Sequence, residues 1–179
     1  MLVQLATIAM PAPCAANFPE CITPHFSLAE LTVTKTGLPN RPDSPLILAN
    51  LRELATTILQ PVFETFGPRL TITSAYRSPV VNNAVRGSST SQHCFGQAAD
   101  FVVMGISTYE LACWVRDHLD YGQLILEEYI PGTKATGWVH CSIPTSKFRN
   151  KNYTKFKGSK MLYEGILLTV PTQIGGGKR

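Results

Sequence analysis

The stretch that decides the fold runs from residue 70 to residue 103 and reads LTITSAYRSPVVNNAVRGSSTSQHCFGQAADFVV. Its beginning, Leu70–Ser74, alternates in polarity and is rich in β-branched side chains, which predicts a β-strand. Ser78-Pro79 predicts the start of a short helix that runs to about Val85, because proline is favoured at the first helical position. A loop rich in glycine and serine follows, and Ala98–Val103 predicts a second strand.

Helices are predicted on both sides of this stretch. Pro45–Phe66 carries large apolar side chains at helical spacing, and Pro61 within it should kink the helix or divide it in two. Ser27–Glu30 has the spacing of a capping box, in which the serine and glutamate side chains satisfy free backbone N–H groups at a helix start. A second capping box, Ser107–Glu110, predicts a helix that runs to about Leu119.

Two more strands are predicted after these helices. Gln123–Tyr129 and Gly137–Ile143 are rich in apolar side chains, and a short turn-forming segment joins them. That connection is too short for a helical crossover, so the two strands should form an antiparallel pair. Met161–Val170 is a candidate for one further strand. The order of elements predicts a single α+β domain with a small, mostly antiparallel sheet flanked by helices.

Length and composition agree with one folded domain. The chain has 179 residues, of which 44% are apolar and 16% are charged, and this excludes a disordered polyelectrolyte. No apolar run approaches the roughly 18 residues needed to cross a bilayer, so no transmembrane segment is expected. Oligomeric state does not follow from the sequence.

The chain divides by composition into three parts. We predict a proline- and alanine-rich N-terminal arm over residues 1–24, the folded domain over 25–146 and a basic C-terminal extension over 147–179. From Lys147 onward there are eight Lys and Arg residues against one acid, Glu164. This excess favours contact with an anionic polymer, such as a wall polymer, anionic lipid or nucleic acid. A nucleic-acid-binding protein is therefore one alternative function, and it predicts strongly salt-dependent binding.

The N terminus and the cysteines indicate in which cellular compartment the protein is made and whether it is secreted. The first 16 residues are apolar but lack the basic start of a secretory signal, so we interpret them as an arm that lies on the core, with a weak signal peptide as the alternative. The five cysteines form no C-x-x-C pair, and their odd number leaves at least one unpaired within a monomer. Cys14 and Cys21 are near enough in sequence to bridge, but a reducing compartment during synthesis is the default expectation.

His93, Asp100 and His140 are candidate ligands of a metal ion. Asp100 lies in an otherwise apolar strand, where a carboxylate needs a partner, and a cation would supply one. Two imidazoles and one carboxylate match the catalytic zinc pattern, in which three protein ligands leave the fourth position for water. Two alternatives stand beside this reading: hydrogen-bonded structural histidines, and a structural zinc site built with Cys94 and Cys141, which directly follow two of the candidates.

A series of motifs accompanies these candidates. S-x-Y-R-S, V-N, S-x-H-x-x-G-x-A-x-D and W-x-H occur in that order between about Phe26 and Ile143. The series resembles the M15 zinc peptidases, which are D-Ala-D-Ala carboxypeptidases and related murein peptidases. The resemblance is closest to the M15A type found in actinobacterial enzymes and in phage or prophage proteins. It implies a hedgehog/DD-peptidase-like fold and a bound Zn²⁺ with His93, Asp100 and His140 as ligands.

The resemblance also implies catalytic roles for two other side chains. Arg77 matches an arginine that points into the active site, where it would hold a substrate carboxylate or stabilise the oxyanion. Some relatives carry an acid three residues before the last histidine ligand, but here that position is Gly137. Glu127, which follows QLIL as in similar sequences, is the predicted general base. Strand alternation places Glu127 and Glu128 on opposite faces, and Glu128 is the alternative.

Four further residues are candidates for contact with substrate or for support of the site. Ser91 matches a serine two residues before the first ligand and could hydrogen-bond substrate or one of the metal ligands. Trp138 shares a strand face with His140 and either walls the pocket or belongs to the core. Tyr76 is a candidate for substrate binding, and Asn82 is more typical of a residue that stabilises the loop.

The resemblance implies hydrolysis of an amide bond in a peptidoglycan stem peptide. Carboxypeptidase and cross-link endopeptidase activity both fit, and a phage or prophage lytic enzyme would suit the short chain. Such a protein would be made in the cytoplasm and would act at the bacterial cell wall, in the periplasm or outside the cell. The alternative is a non-catalytic zinc-containing binding protein of the same fold, as in hedgehog signalling domains.

Overall fold

The structure is a computed structural model that describes residues 21–171. The elements in chain order are β1 (Cys21–Thr23), β2 (Phe26–Ser27), α1 (Leu28–Leu31), α2 (Pro45–Leu54), α3 (Gln60–Phe66), β3 (Leu70–Ser74), α4 (Pro79–Ala84), β4 (Ala98–Val103), α5 (Thr108–His118), β5 (Gln123–Tyr129), β6 (Trp138–Ser142), β7 (Lys151–Phe156) and β8 (Tyr163–Glu164). Both predicted capping boxes are present, at the starts of α1 and α5. The two strands predicted from the opening stretch are confirmed with the same bounds.

The long helix predicted over residues 45–66 is divided, as Pro61 suggested. A π-helical segment, Ala55–Leu59, joins α2 to α3 and ends two positions before the proline. Proline has no N–H to donate and its ring crowds the preceding turn, so a wider turn at this point avoids both problems. Leu51, Leu54 and Ile58 are fully buried along this helical face.

The main sheet has six strands in the spatial order β3-β4-β6-β5-β7-β8. All neighbouring pairs are antiparallel except β5 and β7, which run parallel. The α+β fold class with a mostly antiparallel sheet is therefore confirmed.

The two faces of this sheet have different roles. Phe101, Val139 and Leu126 are fully buried in the hydrophobic core, which also contains side chains of α2, α3 and α5. Because side chains alternate along a strand, Asp100 and His140 project from the opposite face. That second face carries the candidate site.

The segment after residue 146 contributes to the sheet. β7 pairs with β5 in parallel register, with Leu126 opposite Thr154, and both Thr154 and Phe156 are buried. The first part of the basic extension is thus a strand of the same sheet. The strand expected within Met161–Val170 is confirmed only as the two residues of β8. The domain boundary at residue 146 itself stays a prediction.

Most of the predicted N-terminal arm lies outside the described residues. Its last residues form β1, which pairs with β2 in an antiparallel ladder, and the division at residue 24 stays a prediction. Cys21 is disulfide-bonded. Cys14, the partner that the sequence suggested, lies outside the described residues.

Gly137, at the start of β6, is tightly restricted by the neighbouring strand. Its φ is +70°, and a Cβ at this position would overlap the carbonyl oxygen of Glu127. An acidic side chain three residues before His140, as some relatives have, therefore does not fit this backbone. A general base at this site would have to come from another position.

Replacing Gly137 by alanine is expected to destabilise the fold by about 2–5 kcal/mol, from the left-handed backbone and from overpacking together. Gly132→Ala in the same hairpin is the matched control, because its φ is +77° and no atom lies within 4 Å of the added Cβ. The control should lose only about 1–2 kcal/mol of stability, which is the cost of the left-handed backbone without any overpacking. Chemical denaturation measures both values, and equal losses would contradict the steric argument.

Candidate metal and active site

Two strands and a short turn bring the three predicted ligands together. Asp100 on β4 lies directly opposite His140 on β6, so both side chains project from the same face of the sheet. His93 lies in a 3₁₀ turn, Gln92–Phe95, just before β4. Gly96 ends this turn in the left-handed conformation, with φ +67°, which redirects the chain into the strand.

The ligand atoms of these three residues converge. Asp100 Oδ1 lies 3.2 Å from His93 Nε2 and 2.9 Å from His140 Nδ1. All three residues are buried, with exposed fractions of 6%, 3% and 7% for Asp100, His93 and His140. Within the described part of the chain, these three residues form a group whose ligand atoms lie within 4.8 Å of one another, close enough to hold one metal ion. The juxtaposition predicted from the sequence is present in the structure.

Further hydrogen bonds fix which nitrogen of each imidazole faces Asp100. The carbonyl oxygen of Ala75 can only accept, so His93 Nδ1–H donates to it, over 2.7 Å. His140 Nε2–H likewise donates to the side-chain oxygen of Gln92, over 3.1 Å. The remaining nitrogen of each ring therefore presents a lone pair toward the carboxylate. Such contacts orient histidine ligands in metal sites.

This arrangement fits a divalent metal ion. Two nitrogen lone pairs and a carboxylate oxygen repel one another unless a proton or a cation lies between them. Ligand bonds of about 2.0–2.1 Å in a tetrahedral zinc site place neighbouring ligand atoms roughly 3.3 Å apart, close to the observed separations. A set of imidazole and carboxylate donors suits zinc and similar divalent ions.

Burial favours the metal-binding protonation states. It is the main cause that lowers the pKa of His93, so this imidazole stays neutral and able to act as a ligand. Burial alone would raise the pKa of Asp100, but the hydrogen bonds and positive charge that His140 and His93 supply when their rings are protonated outweigh burial and hold that pKa well below its usual range. Asp100 is therefore a carboxylate at neutral pH.

Arg77 lies beside the ligands, as predicted. Its Nη2 donates to Asp100 Oδ2 over 2.6 Å, and its Nε donates to Ser74 Oγ over 2.8 Å. The side chain is 20% exposed and lines the same cavity as the three ligands. Arg77 thus holds the second oxygen of Asp100 and turns the first toward the histidines.

Glu127, rather than Glu128, faces the candidate metal site. Glu127 lies opposite Trp138 in the β5–β6 pair and lines the cavity with the three ligands. Glu128 has a left-handed backbone, with φ 52°, and forms an ion pair with Lys155 over 3.1 Å. Burial is the main cause that raises the pKa of Glu127. A partly buried carboxylate of this kind is suited to accept and return a proton.

These side chains surround one open cavity of about 380 Å³, which we call the site cavity. Its lining residues are Arg77, Gly87, Ser88, Thr90, Ser91, Gln92, His93, Asp100, Gln123, Ile125, Glu127, Trp138, His140, Lys147 and Phe148. A buried three-ligand group in a cavity with a carboxylate and a guanidinium is an arrangement that hydrolytic metal sites use.

The family follows from comparison with known proteins. The model of the family described as Peptidase M15 matches residues 24–142, about two thirds of the chain. The chain belongs to the M15 peptidase family. M15 peptidases are metallopeptidases, which agrees with the ligand group His93, Asp100 and His140. A search of curated proteins finds no match.

The other predicted contacts of this M15 peptidase divide between two cavities. Ser91 and Trp138 line the site cavity. Tyr76 is buried and lines a neighbouring cavity, which Arg77 and Trp138 also reach. Its role in substrate binding stays a prediction. Asn82 donates to the carbonyl oxygen of Ser88 over 2.9 Å and so stabilises the loop, as expected.

The cysteine-rich alternative for the metal site is not supported in residues 21–171. Cys141 is fully buried in the hydrophobic core, on the opposite face of β6 from His140. The candidate ligand group found there contains no cysteine. Among the same residues, no helix has both the length and the apolar character needed to cross a membrane.

Six polar or aromatic residues of the cavity were not among the sequence candidates: Ser88, Thr90, Gln92, Gln123, Lys147 and Phe148. Gln92 adjoins a ligand, but glutamine is an uncommon ligand type and its contact with His140 spans 48 positions. Lys147 and Phe148 fall in the segment that composition assigned to the basic extension. Because the charge pattern of this segment predicted an extension outside the domain, their contribution to the site was not predicted.

Proposed function

We propose that this M15 peptidase is a zinc enzyme that hydrolyses amide bonds in peptidoglycan stem peptides. The observation that carries the proposal is the presence of His93, Asp100 and His140 in one cavity with Glu127. A non-catalytic zinc protein would have no need of a partly buried carboxylate beside its ligands. The motif resemblance to murein peptidases supports the choice of substrate.

The three ligands would hold Zn²⁺ and leave a coordination position open. When bound, the ion would supply Lewis-acid polarisation of the scissile carbonyl and would lower the pKa of the attacking water. Ala75, Gln92 and Arg77 keep the ligand atoms oriented through the hydrogen bonds described above. This support is worth about 10–100-fold in metal affinity at comparable sites.

Glu127 would act as the general base and then as the general acid. Its carboxylate takes a proton from the attacking water and returns it to the leaving amine. Arg77 would hold a substrate carboxylate or support the developing oxyanion, since a fixed guanidinium suits both tasks. No serine or cysteine nucleophile is required by this mechanism.

The site of action follows from the proposed substrate. We place the enzyme at the bacterial cell wall, in the periplasm or outside the cell. The basic segments after residue 147 would favour contact with anionic wall polymers. Removal of terminal D-Ala and cleavage of cross-links both suit an open cavity, and a phage or prophage lytic enzyme is one setting for the second activity.

Digestion of purified peptidoglycan tests the proposal. The protein is incubated with the polymer with and without a chelator, and released fragments are identified by mass spectrometry. Chelator-sensitive loss of single D-Ala residues is the result expected of a carboxypeptidase, and chelator-sensitive opening of cross-linked dimers is that of an endopeptidase. If no bond is cut while one equivalent of metal stays bound, the catalytic proposal fails and the non-catalytic alternative takes its place.

The pH dependence of kcat/KM should report the pKa of Glu127. A general base must be ionised, so kcat/KM is expected to fall as the pH falls through that pKa. Because burial raises the pKa of Glu127, the midpoint of this acidic limb should lie above the ordinary glutamate value of about 4.3. A pH–rate profile measures the midpoint, and an acidic limb centred at or below the ordinary value would contradict the assignment.

A further inference from the structure

Lys147 is an unpaired cation in the wall of the site cavity. Its side chain lines the cavity, and its Nζ lies over the ring of Phe148, 5.1 Å from the ring centroid. Within residues 21–171 it forms no ion pair, whereas Lys155 and Arg149 each pair with an acid. Lys147 and Phe148 also lie beyond the segment that the family model matches.

The turn that carries Lys147 is fixed to the sheet. Thr145 N–H donates to the carbonyl oxygen of Phe148 over 2.8 Å, and Phe148 N–H donates to Thr145 Oγ1 over 3.1 Å. Two residues later, Asn150 N–H donates to the carbonyl oxygen of Tyr121 over 2.8 Å. These hydrogen bonds hold the backbone of the turn in place beside the cavity, and the exposed Lys147 side chain extends from it.

Strand register places Lys147 and Glu127 at opposite ends of the cavity. Glu127 lies opposite Trp138, where β6 begins, and His140 occupies the middle of that strand. The turn Thr145–Phe148 follows the end of β6. Trp138 belongs to the Glu127 end, and both Trp138 and Arg77 also line the neighbouring cavity. A substrate across the ligands would contact Glu127 on one side and Lys147 on the other.

We propose that Lys147 binds a carboxylate on the acyl side of the scissile bond and so makes this peptidase prefer acidic stem peptides. The inference rests on the proposed function, in which Glu127 protonates the leaving amine. The leaving group then lies at the Glu127 end, and the acyl part extends toward Lys147. A lysine without an anionic partner at that end provides a charge-assisted hydrogen bond for a carboxylate.

Two synthetic stem peptides test this inference. They are identical except that the acidic residue on the acyl side carries a free carboxylate in one and a carboxamide in the other. Calorimetry on the metal-loaded Glu127→Gln variant gives the affinity for each peptide without turnover. The free acid is expected to bind roughly tenfold more tightly, as for a hydrogen bond to a charged group. Adding Lys147→Gln should remove this preference, and adding Lys147→Arg should retain it.

Lys151→Gln is the matched control, because Lys151 is exposed on β7 and does not line the cavity. It should leave the tenfold preference unchanged. Equal affinities for the two peptides, no measurable binding of either, or a preference that survives Lys147→Gln would each overturn the inference. Turnover of the same peptides by the wild-type enzyme is measured separately, and its absence would count against the proposed function.

Discussion

Substitution of Glu127 by glutamine is expected to lower kcat for amide hydrolysis by roughly 10²–10⁴-fold, the usual contribution of a general acid–base group. Glutamine has nearly the same shape but cannot accept the proton of the attacking water. Glu127 is not one of the three ligands, so the variant should still bind one equivalent of metal. Steady-state kinetics on a stem peptide, combined with metal analysis, measures both properties.

Glu128→Gln is the matched control for this prediction. The neighbouring residue carries the same charge, but its side chain pairs with Lys155 and does not line the site cavity. Its loss should change kcat by less than about twofold, because this side chain does not line the site cavity and a partly exposed ion pair contributes only roughly 0–1 kcal/mol to stability. A fully active Glu127→Gln enzyme, or an equal loss in both variants, would show that the base has been misassigned.

Substitution of His140 by alanine is expected to abolish both metal binding and hydrolysis. The change removes one of three ligand atoms and leaves the buried carboxylate of Asp100 without a contact that lies 2.9 Å away in the native site. Metal analysis after dialysis should find less than a tenth of an equivalent bound, on the order of the loss expected when a zinc site loses one ligand. Hydrolysis should fall below detection.

His118→Ala provides the comparison for this variant. His118 is exposed at the end of α5, where it stacks on Trp114 away from the site cavity. This variant should keep full metal content and activity. Circular dichroism of both proteins separates loss of the metal from loss of the fold. If His140→Ala keeps its metal and its activity, His140 is not a ligand.

Local patterns were sufficient to predict most elements of the fold. Alternation and β-branching gave the bounds of β3 and β4, and the serine–glutamate pairs gave the starts of α1 and α5. The antiparallel β5–β6 pair followed from its short connection. These signals depend on residues that are close in sequence, so no long-range information was required.

Contacts between distant segments were harder to predict. β7 adds to β5 in parallel and so continues the sheet beyond residue 146, but its high charge is typical of a solvated tail. Only Thr154 and Phe156 among its residues are buried. The sequence therefore shows a charged segment, whereas the pairing depends on the free edge of β5, which sequence alone does not reveal.

The residues of the candidate site likewise divide into those that the sequence predicts and those that depend on long-range contacts. His93, Asp100 and His140 were predictable because ligand residue types occur in a motif series, and the structure places their ligand atoms together. Gln92 and Lys147 were missed because their residue types are common and their contacts are long-range. The choice between Glu127 and Glu128 needed the backbone, since a local change of φ at Glu128 separates the two side chains.

Reconstitution of the metal-free protein tests the central claim most directly. Metal is removed with a chelator, zinc is added back in steps, and the hydrolysis of a stem peptide is measured against the amount of zinc bound. We predict that metal-free protein is inactive and that the rate rises in proportion to bound zinc until one equivalent per chain is reached. Hydrolysis by the metal-free protein, or a filled site without hydrolysis, would contradict the account.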